Sequence, residues 1–259
     1  MLDALEFDYL MRTRGWLIIE NMIEPAFLDR LGEDLEKAIA RSHDYRARRG
    51  LLERSEGSAH HVFGFNDSLD ELLRRNYLNA EISHYLGGKI ILNSYGGIAN
   101  QTSDTTYYKR PHRDVRVCFP GHPMMVTVMV LIDDFTLDNG ATHLLSSSHH
   151  VVDRPSDEWF EKYSARLVGR RGSLGVFDSA IWHAAGENRV GVKRRGLTLT
   201  YTRPFFKQQL DYPRYLSSEY EQGLDDDTRQ LLGYNARVPA NLDEWYQPAE
   251  QRTYRADQD

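Results

Sequence analysis

The alternation of apolar and polar positions changes character once along the chain, near Lys89. Before it, apolar residues recur at helical spacing. Residues 3–13 read as a helix, and Trp16-Leu17-Ile18-Ile19 as a short strand. From Pro25 to Ala40, Phe27, Leu28, Leu31, Leu35 and Ile39 share one helical face, with proline in the first turn, where its missing N–H is tolerated. Residues 44–65 show no period and read as a loop. A further helix is predicted from Ser68 to Leu86, stopped by Gly87-Gly88.

From Lys89 onward short β-rich runs follow one another: KIILNSY, VRVCF, MMVTVMVLI, ATHLL, SARLV, SLGVF and LTLTYT, separated by Gly, Pro, Asn and Asp turns. Helices first and many short strands afterwards predict a mainly β fold, an antiparallel barrel or sandwich with helices packed outside it. Helical spacing returns from Ser217 to Tyr234, ahead of an irregular end carrying Trp245, Tyr246 and Tyr254. No repeat, low-complexity tract or linker divides the chain. It reads as one domain, 1–259, with a β core at about 89–203, N-terminal helices within 3–86 and a C-terminal helix and tail over 217–259.

Composition narrows the function classes. Hydrophobic residues make up 41% and charged residues 27%, enough to bury a sizeable core. A net charge of −6 argues against binding a nucleic-acid backbone, which requires excess Lys and Arg. Cys118 is the one cysteine, so no intrachain disulfide can form, in keeping with a reducing compartment. The opening MLDALEFDYL carries acids and no apolar core, unlike a signal peptide. The run Met124–Ile132 is too short to span a bilayer. The expectation is a cytoplasmic protein with a small-molecule substrate and neither a nucleic-acid nor a membrane partner. Nothing in the pattern sets the oligomeric state.

Most of the ten histidines, including His43, His60, His61, His84, His122 and His143, read as surface or packing residues. His112-Arg113-Asp114 stands apart, just before a strand, as does His183, 69 positions after Asp114 and just beyond another strand. On extended backbone, residues i and i+2 point the same way. His112 and Asp114 can thus offer a nitrogen and an oxygen to one metal, with His183 as third ligand. Two histidines and a carboxylate that leave positions open are the arrangement of iron(II) oxygenases. An HxD pair alone is weak, and HRD also marks the protein-kinase catalytic loop; but Phe119 stands where that loop needs Asn, and no DFG follows. Arg194-Arg195, eleven and twelve residues after His183, opens the strand LTLTYT and offers a cation able to clasp a carboxylate through two nitrogens.

With these elements in order, the chain resembles the phytanoyl-CoA dioxygenase family of 2-oxoglutarate-dependent oxygenases. The likeness rests on HxD, LxDDFxxxNGAT (131–142), the Ser148-His149 element, GxxxxFDSxxxHxxGxN (172–188) and Arg194-Arg195-Gly196. GWLIIENMI near the start and Leu231 to Tyr234 near the end are similar to flanking elements of that family. The resemblance implies a double-stranded β-helix (a jelly-roll, cupin-like core), with iron(II), 2-oxoglutarate and dioxygen as the reacting groups. It assigns His112, Asp114 and His183 as iron ligands and Arg194 as the anchor for the far carboxylate of 2-oxoglutarate. Thr142 and Lys109 match co-substrate contacts, and Asn93 is a further candidate. Arg195 competes with Arg194, but Arg194 is in phase with Thr198, Thr200 and Thr202, which puts it on a polar face. Two positions depart from the family pattern: Ser146-Ser147 stands where Pro-Gly is usual, and Ala185 stands where Ser is common.

The implied reaction is oxidation of an unactivated C–H bond of a small molecule, such as a natural-product or sugar intermediate, by hydroxylation or a related outcome. The rival is a cupin-like protein that binds or isomerises a sugar without oxygen chemistry; such a protein has no need of a buried arginine after the last histidine. Arg46, Arg48, Arg49 and Arg54, with three glycines, suggest that 44–65 is a lid over the substrate, against the plainer reading of a solvated face.

Overall fold

The computed structural model describes residues 3–51, 57–100, 110–115 and 117–258. Its centre is a six-stranded antiparallel sheet built from β1 (Trp16–Ile19), β2 (Ser58–His60), β3 (Ile91–Asn100), β4 (Met125–Leu131), β7 (Leu174–Asp178) and β9 (Arg194–Thr202), in the order β1-β7-β4-β9-β3-β2. A smaller sheet, in the order β6-β5-β8, pairs β5 (His143–Leu144) with β6 (Ala165–Arg166) on one side and β8 (His183–Ala184) on the other. The chain is thus an antiparallel core flanked by helices, the jelly-roll class.

The helices α1 (Ala4–Thr13), α2 (Pro25–Arg48), α3 (Ser68–Arg74) and α4 (Asn79–Leu86) cover one face of the large sheet. Phe27, Leu31 and Leu35 of α2 are fully buried and join Leu92, Tyr95, Val128, Val176 and Leu197 in one apolar cluster. Each large aliphatic or aromatic side chain so buried contributes about 1.5–3 kcal/mol. This cluster packs one face of the sheet, so the opposite face of β3, β4 and β9 is available for a cavity. No helix among the described residues is long and apolar enough to cross a membrane.

Several elements differ from the pattern read off the sequence. Helix α2 runs eight residues past Ala40, because no Gly or Pro interrupts it before Gly50 and because Arg46 and Arg48 suit the negative end of its dipole. The segment 44–65 is therefore not a free loop. It begins in α2, and its β2 pairs with β3 through Ser58, Ala59 and His60. Ala59, Val62 and Phe63 lie in the main core, and residues 52–56 fall outside the described residues. A segment so tied cannot move as one lid. The helix expected over Ser68–Leu86 is two helices, with Asn76 and Leu78 in the left-handed region between them. Asn76 tolerates that conformation, and its Oδ1 accepts a bond from Asn79 Nδ2 at 3.0 Å. Among the described residues of VRVCF (115 and 117–119) no strand is formed: Val115, like Asp114 before it, donates to the Ser179 carbonyl, and Val117 and Phe119 face solvent. Two short helices, Ser218–Gln222 and Asp226–Leu231, take the place of the one tail helix expected over Ser217–Tyr234.

Candidate metal centre and its cavity

His112 and His183 meet across an isolated antiparallel bridge in which each N–H donates to the other's carbonyl, at 2.9 and 3.0 Å. On its far side His183 pairs with Leu144 of β5, so the bridge extends the smaller sheet by one rung. Asp114 is held two residues on by its N–H bond to the Ser179 carbonyl, 3.0 Å. Its Oδ1 lies 3.8 Å from His112 Nε2 and 3.5 Å from His183 Nε2. Among the described residues these three offer one ligand atom each, all within 4.8 Å of one another. The centre closes because two distant strand ends are brought to adjacent rungs.

Each ligand is oriented from behind. His112 Nδ1 is 2.9 Å from the Arg110 carbonyl oxygen, and His183 Nδ1 is 3.0 Å from that of Ile181. A carbonyl only accepts, so Nδ1 carries the hydrogen in both rings and the neutral imidazole keeps its lone pair on Nε2, facing Asp114. The Asp114 Oδ2 accepts from Thr127 Oγ1 at 2.9 Å, and Thr127 Oγ1 lies 2.8 Å from Ser179 Oγ. Thr127 has one proton to give, so Ser179 donates to Thr127 and Thr127 to the carboxylate. The unshared Oδ1 is left toward the two rings.

The electrostatics follow this arrangement. Burial raises the cost of charge on Asp114, but the adjacent His183, His112 and the Thr127 bond outweigh it and hold the carboxyl below its ordinary range. Burial, then the nearby His183, pushes His112 down. For His183, burial is outweighed by Asp114, and its pKa rises. Two imidazole nitrogens and an ionised carboxylate are a donor set that fits iron(II).

A cavity of about 250 Å³ opens over the triad. Alternation along β9 decides what it meets. Arg194 points into it, 5% exposed, its guanidinium 4.1 Å from the centre of the Phe135 ring. Arg195 points to the opposite face, where Asp133 holds it by Nε–Oδ2 and Nη2–Oδ1 bonds of 2.9 and 2.8 Å. Gly32 of α2 leaves room there: a Cβ at that position would lie 2.5 Å from the Arg195 Nη1.

Thr142 also lines the cavity, with its Oγ1 3.7 Å from Met129 Sδ. It is delivered by a turn that needs Gly140 at φ +87°, with the Gly186 carbonyl 2.6 Å from where a Cβ would sit. Asn93 is not on the cavity wall. A register shift in β3 between Leu92 and Ser94 turns it away, and its amide donates to the Lys207 carbonyl at 2.9 Å. Lys109 lies outside the described residues.

Sequence reasoning passed over Thr127 and Ser179. Thr127 carried a signal, as the only polar side chain of the apolar run Met124–Ile132 before Asp133. Thr198 and Thr200, placed on the polar face with Arg194 by strand phase, do line the cavity, whereas His60, Ser94 and Gln209, which come from separate elements and share no motif, were passed over.

The model of the family described as phytanoyl-CoA dioxygenase (PhyH) matches residues 11–196. The chain belongs to this family. Its members use iron(II), 2-oxoglutarate and dioxygen. An uncharacterised Mycobacterium tuberculosis protein, Rv1501, is 41% identical over 147 residues, which cover 57% of this chain and 54% of that protein. The chain thus spans about half the length of the curated relative it matches. Among solved structures, AviO1 from Streptomyces viridochromogenes Tue57 superposes with a TM-score of 0.60 at 20% identity, covering 79% of this chain and 97% of AviO1. The epimerase SnoN, solved in complex with Fe3+, alpha ketoglutarate and nogalamycin RO, gives 0.60 at 14% identity, covering 77% and 83%. At these identities the likeness is one of fold.

Proposed function

We propose that this protein is an iron(II)- and 2-oxoglutarate-dependent dioxygenase that oxidises an unactivated C–H bond of a small molecule. The observation that carries this reading is the cavity itself, which holds the His112/Asp114/His183 cluster and the buried Arg194 on one wall system. A sugar-binding or isomerising cupin-like protein has no use for that arginine.

In this reading His112 and His183 bind iron(II) through Nε2 and Asp114 through Oδ1. Iron(II), when bound, supplies activation of dioxygen coupled to decarboxylation of 2-oxoglutarate. The chain's own residues do the rest. The Arg110 and Ile181 carbonyls fix both imidazole tautomers, and the Ser179–Thr127 relay fixes the carboxylate rotamer. Arg194 clasps the far carboxylate of 2-oxoglutarate, with Thr142 beside it as a hydroxyl donor. Phe135, Met129 and Phe177 keep the intervening wall apolar and exclude water.

Anaerobic addition of iron(II) and 2-oxoglutarate is expected to produce a weak visible charge-transfer band. His183→Ala should abolish the band and bound iron while leaving the far-UV circular dichroism spectrum intact. Absence of the band, with no iron found by elemental analysis after reconstitution, would refute the assignment. Oxygen uptake coupled to succinate release separates the dioxygenase from the cupin-like alternative.

A further inference from the structure

The large sheet sets the direction in which the cavity is used. Thr200 of β9 pairs with Ser94 of β3 on one side and Thr127 of β4 on the other. Thr127 bonds Asp114, so this row of hydroxyls is level with the metal ligands. Arg194 lies six residues further along β9, at the Phe135 end of the same cavity, and its long side chain carries the guanidinium over the Phe135 ring. A 2-oxo acid stretched from the triad toward Arg194 occupies that end of the cavity, past Met129, Gly196 and Phe135. The Ser94–Thr200 end, with Gln209 and His60 at the mouth, is left over.

That remaining wall has a distinct chemistry. The side chains of Ser94, Thr200, Gln209 and His60 make no hydrogen bond to any described residue, although Thr200 is 6% exposed. Thr127 and Thr202 on the same sheet are both engaged. Gln209 is fixed by its backbone, which donates to the Asn93 carbonyl at 3.1 Å. Between His60 and Thr198 lies a niche above Gly96: a Cβ there would sit 3.0 Å from the Ala59 carbonyl, 3.5 Å from Thr198 Oγ1 and 3.6 Å from His60 Nδ1. Hydroxyl, amide and imidazole groups that line a cavity without protein partners suit a ligand that supplies donors and acceptors, since a ligand that covers them unpaired loses about 1–3 kcal/mol for each.

The charge pattern narrows the class. Among the described lining residues Arg194 is the sole Lys or Arg and Asp114 the sole carboxylate. With Arg194 facing the co-substrate and Asp114 the metal, no cation among the described lining residues remains for an anionic substrate. Burial, then the nearby Arg46, lowers the His60 pKa, so the ring is neutral near pH 7.

Resting on the dioxygenase reading, we infer that the Ser94, Thr200, Gln209 and His60 wall is the substrate subsite and that it takes a neutral, hydroxyl-rich small molecule such as a glycoside or polyol. The test uses the full chain loaded anaerobically with iron(II) and 2-oxoglutarate. Three probe sets are compared by saturation-transfer NMR: neutral methyl glycosides and polyols, sugar phosphates and short carboxylates, and aliphatic alcohols.

Binding is expected from the neutral hydroxylated set. Ser94→Ala combined with Gln209→Leu should weaken it at least tenfold, with the 2-oxoglutarate affinity within twofold of the parent; Thr200→Val, nearly isosteric, serves as the second variant. The inference is overturned if only anionic or apolar probes bind, if no probe binds, or if both variants keep the glycoside affinity. Failure of iron(II) and 2-oxoglutarate to bind is a separate result, seen before any probe is added, and overturns the dioxygenase reading together with this one.

Discussion

Arg194 and Arg195 show how much a single strand step decides. They are chemically identical and adjacent, yet one faces the cavity and the other is clasped by Asp133 on the outer face. Arg194→Leu should weaken 2-oxoglutarate binding by about 2–5 kcal/mol, the cost of removing one partner of a buried charge pair. Arg195→Leu should leave that affinity in place and lower the melting temperature by a few degrees, because Asp133 loses its bidentate partner. Isothermal titration and thermal unfolding of both variants separate the two roles; the reverse pattern would place the anchor at Arg195. Thr127 acts through Asp114 and not on the metal. Thr127→Val should reduce iron(II) affinity about 10–100-fold, the usual effect of losing a bond that orients a ligand, and Thr127→Ser should restore it. Competition with a chelator measures this directly, and an unchanged Thr127→Val affinity would make the relay dispensable.

The strands and helices matter here through close approach. β3 lies between β9 and β2, and its outer face receives α2 at Gly97. A Cβ at that position would fall 2.3 Å from Leu35 Cδ1 and 3.1 Å from Leu197 Cδ2. Gly97→Ala should therefore cost about 1–3 kcal/mol by overpacking, read from denaturant unfolding. Wild-type stability in that variant would mean that α2 shifts freely on the sheet. The same strand carries the register shift that removes Asn93 from the cavity and aligns Ser94, Gly96 and Ile98 with it.

Across the whole molecule, burial of neutral histidines ties stability to pH. Burial, with His60 nearby, lowers His61 to about 4, and burial, with Arg166 nearby, lowers His143 to about 4. In the unfolded chain both titrate near 6.5. Between roughly pH 6.5 and 4 the unfolded state takes up protons that the folded state refuses, so stability falls as pH drops through that window and is fully present above it. The melting temperature should decline between pH 7.5 and 5, and the double variant His61→Gln/His143→Gln should flatten the decline. An equal slope in the variant would assign the acid sensitivity to other groups.

The order of elements, the β texture after Lys89, the HxD pair, the distal histidine and the phase of Arg194 along its strand are all legible in the sequence. They depend on periodicity of two or 3.6 and on local turn chemistry, which a linear pattern carries. Tertiary structure alone decided the pairing of His112 with His183, the Ser179–Thr127–Asp114 relay and the polar wall of Ser94, Thr200, Gln209 and His60. Those groups lie on separate elements, and only the strand pairing brings them together. It also decided the fate of segments with weak local signals. β2 forms because β3 offers it an edge to pair with, and Val115, the first residue of VRVCF, gives its amide to the Ser179 carbonyl instead of to a strand ladder. Backbone donors and acceptors take whichever partner the assembled fold presents, and no window of sequence contains that partner.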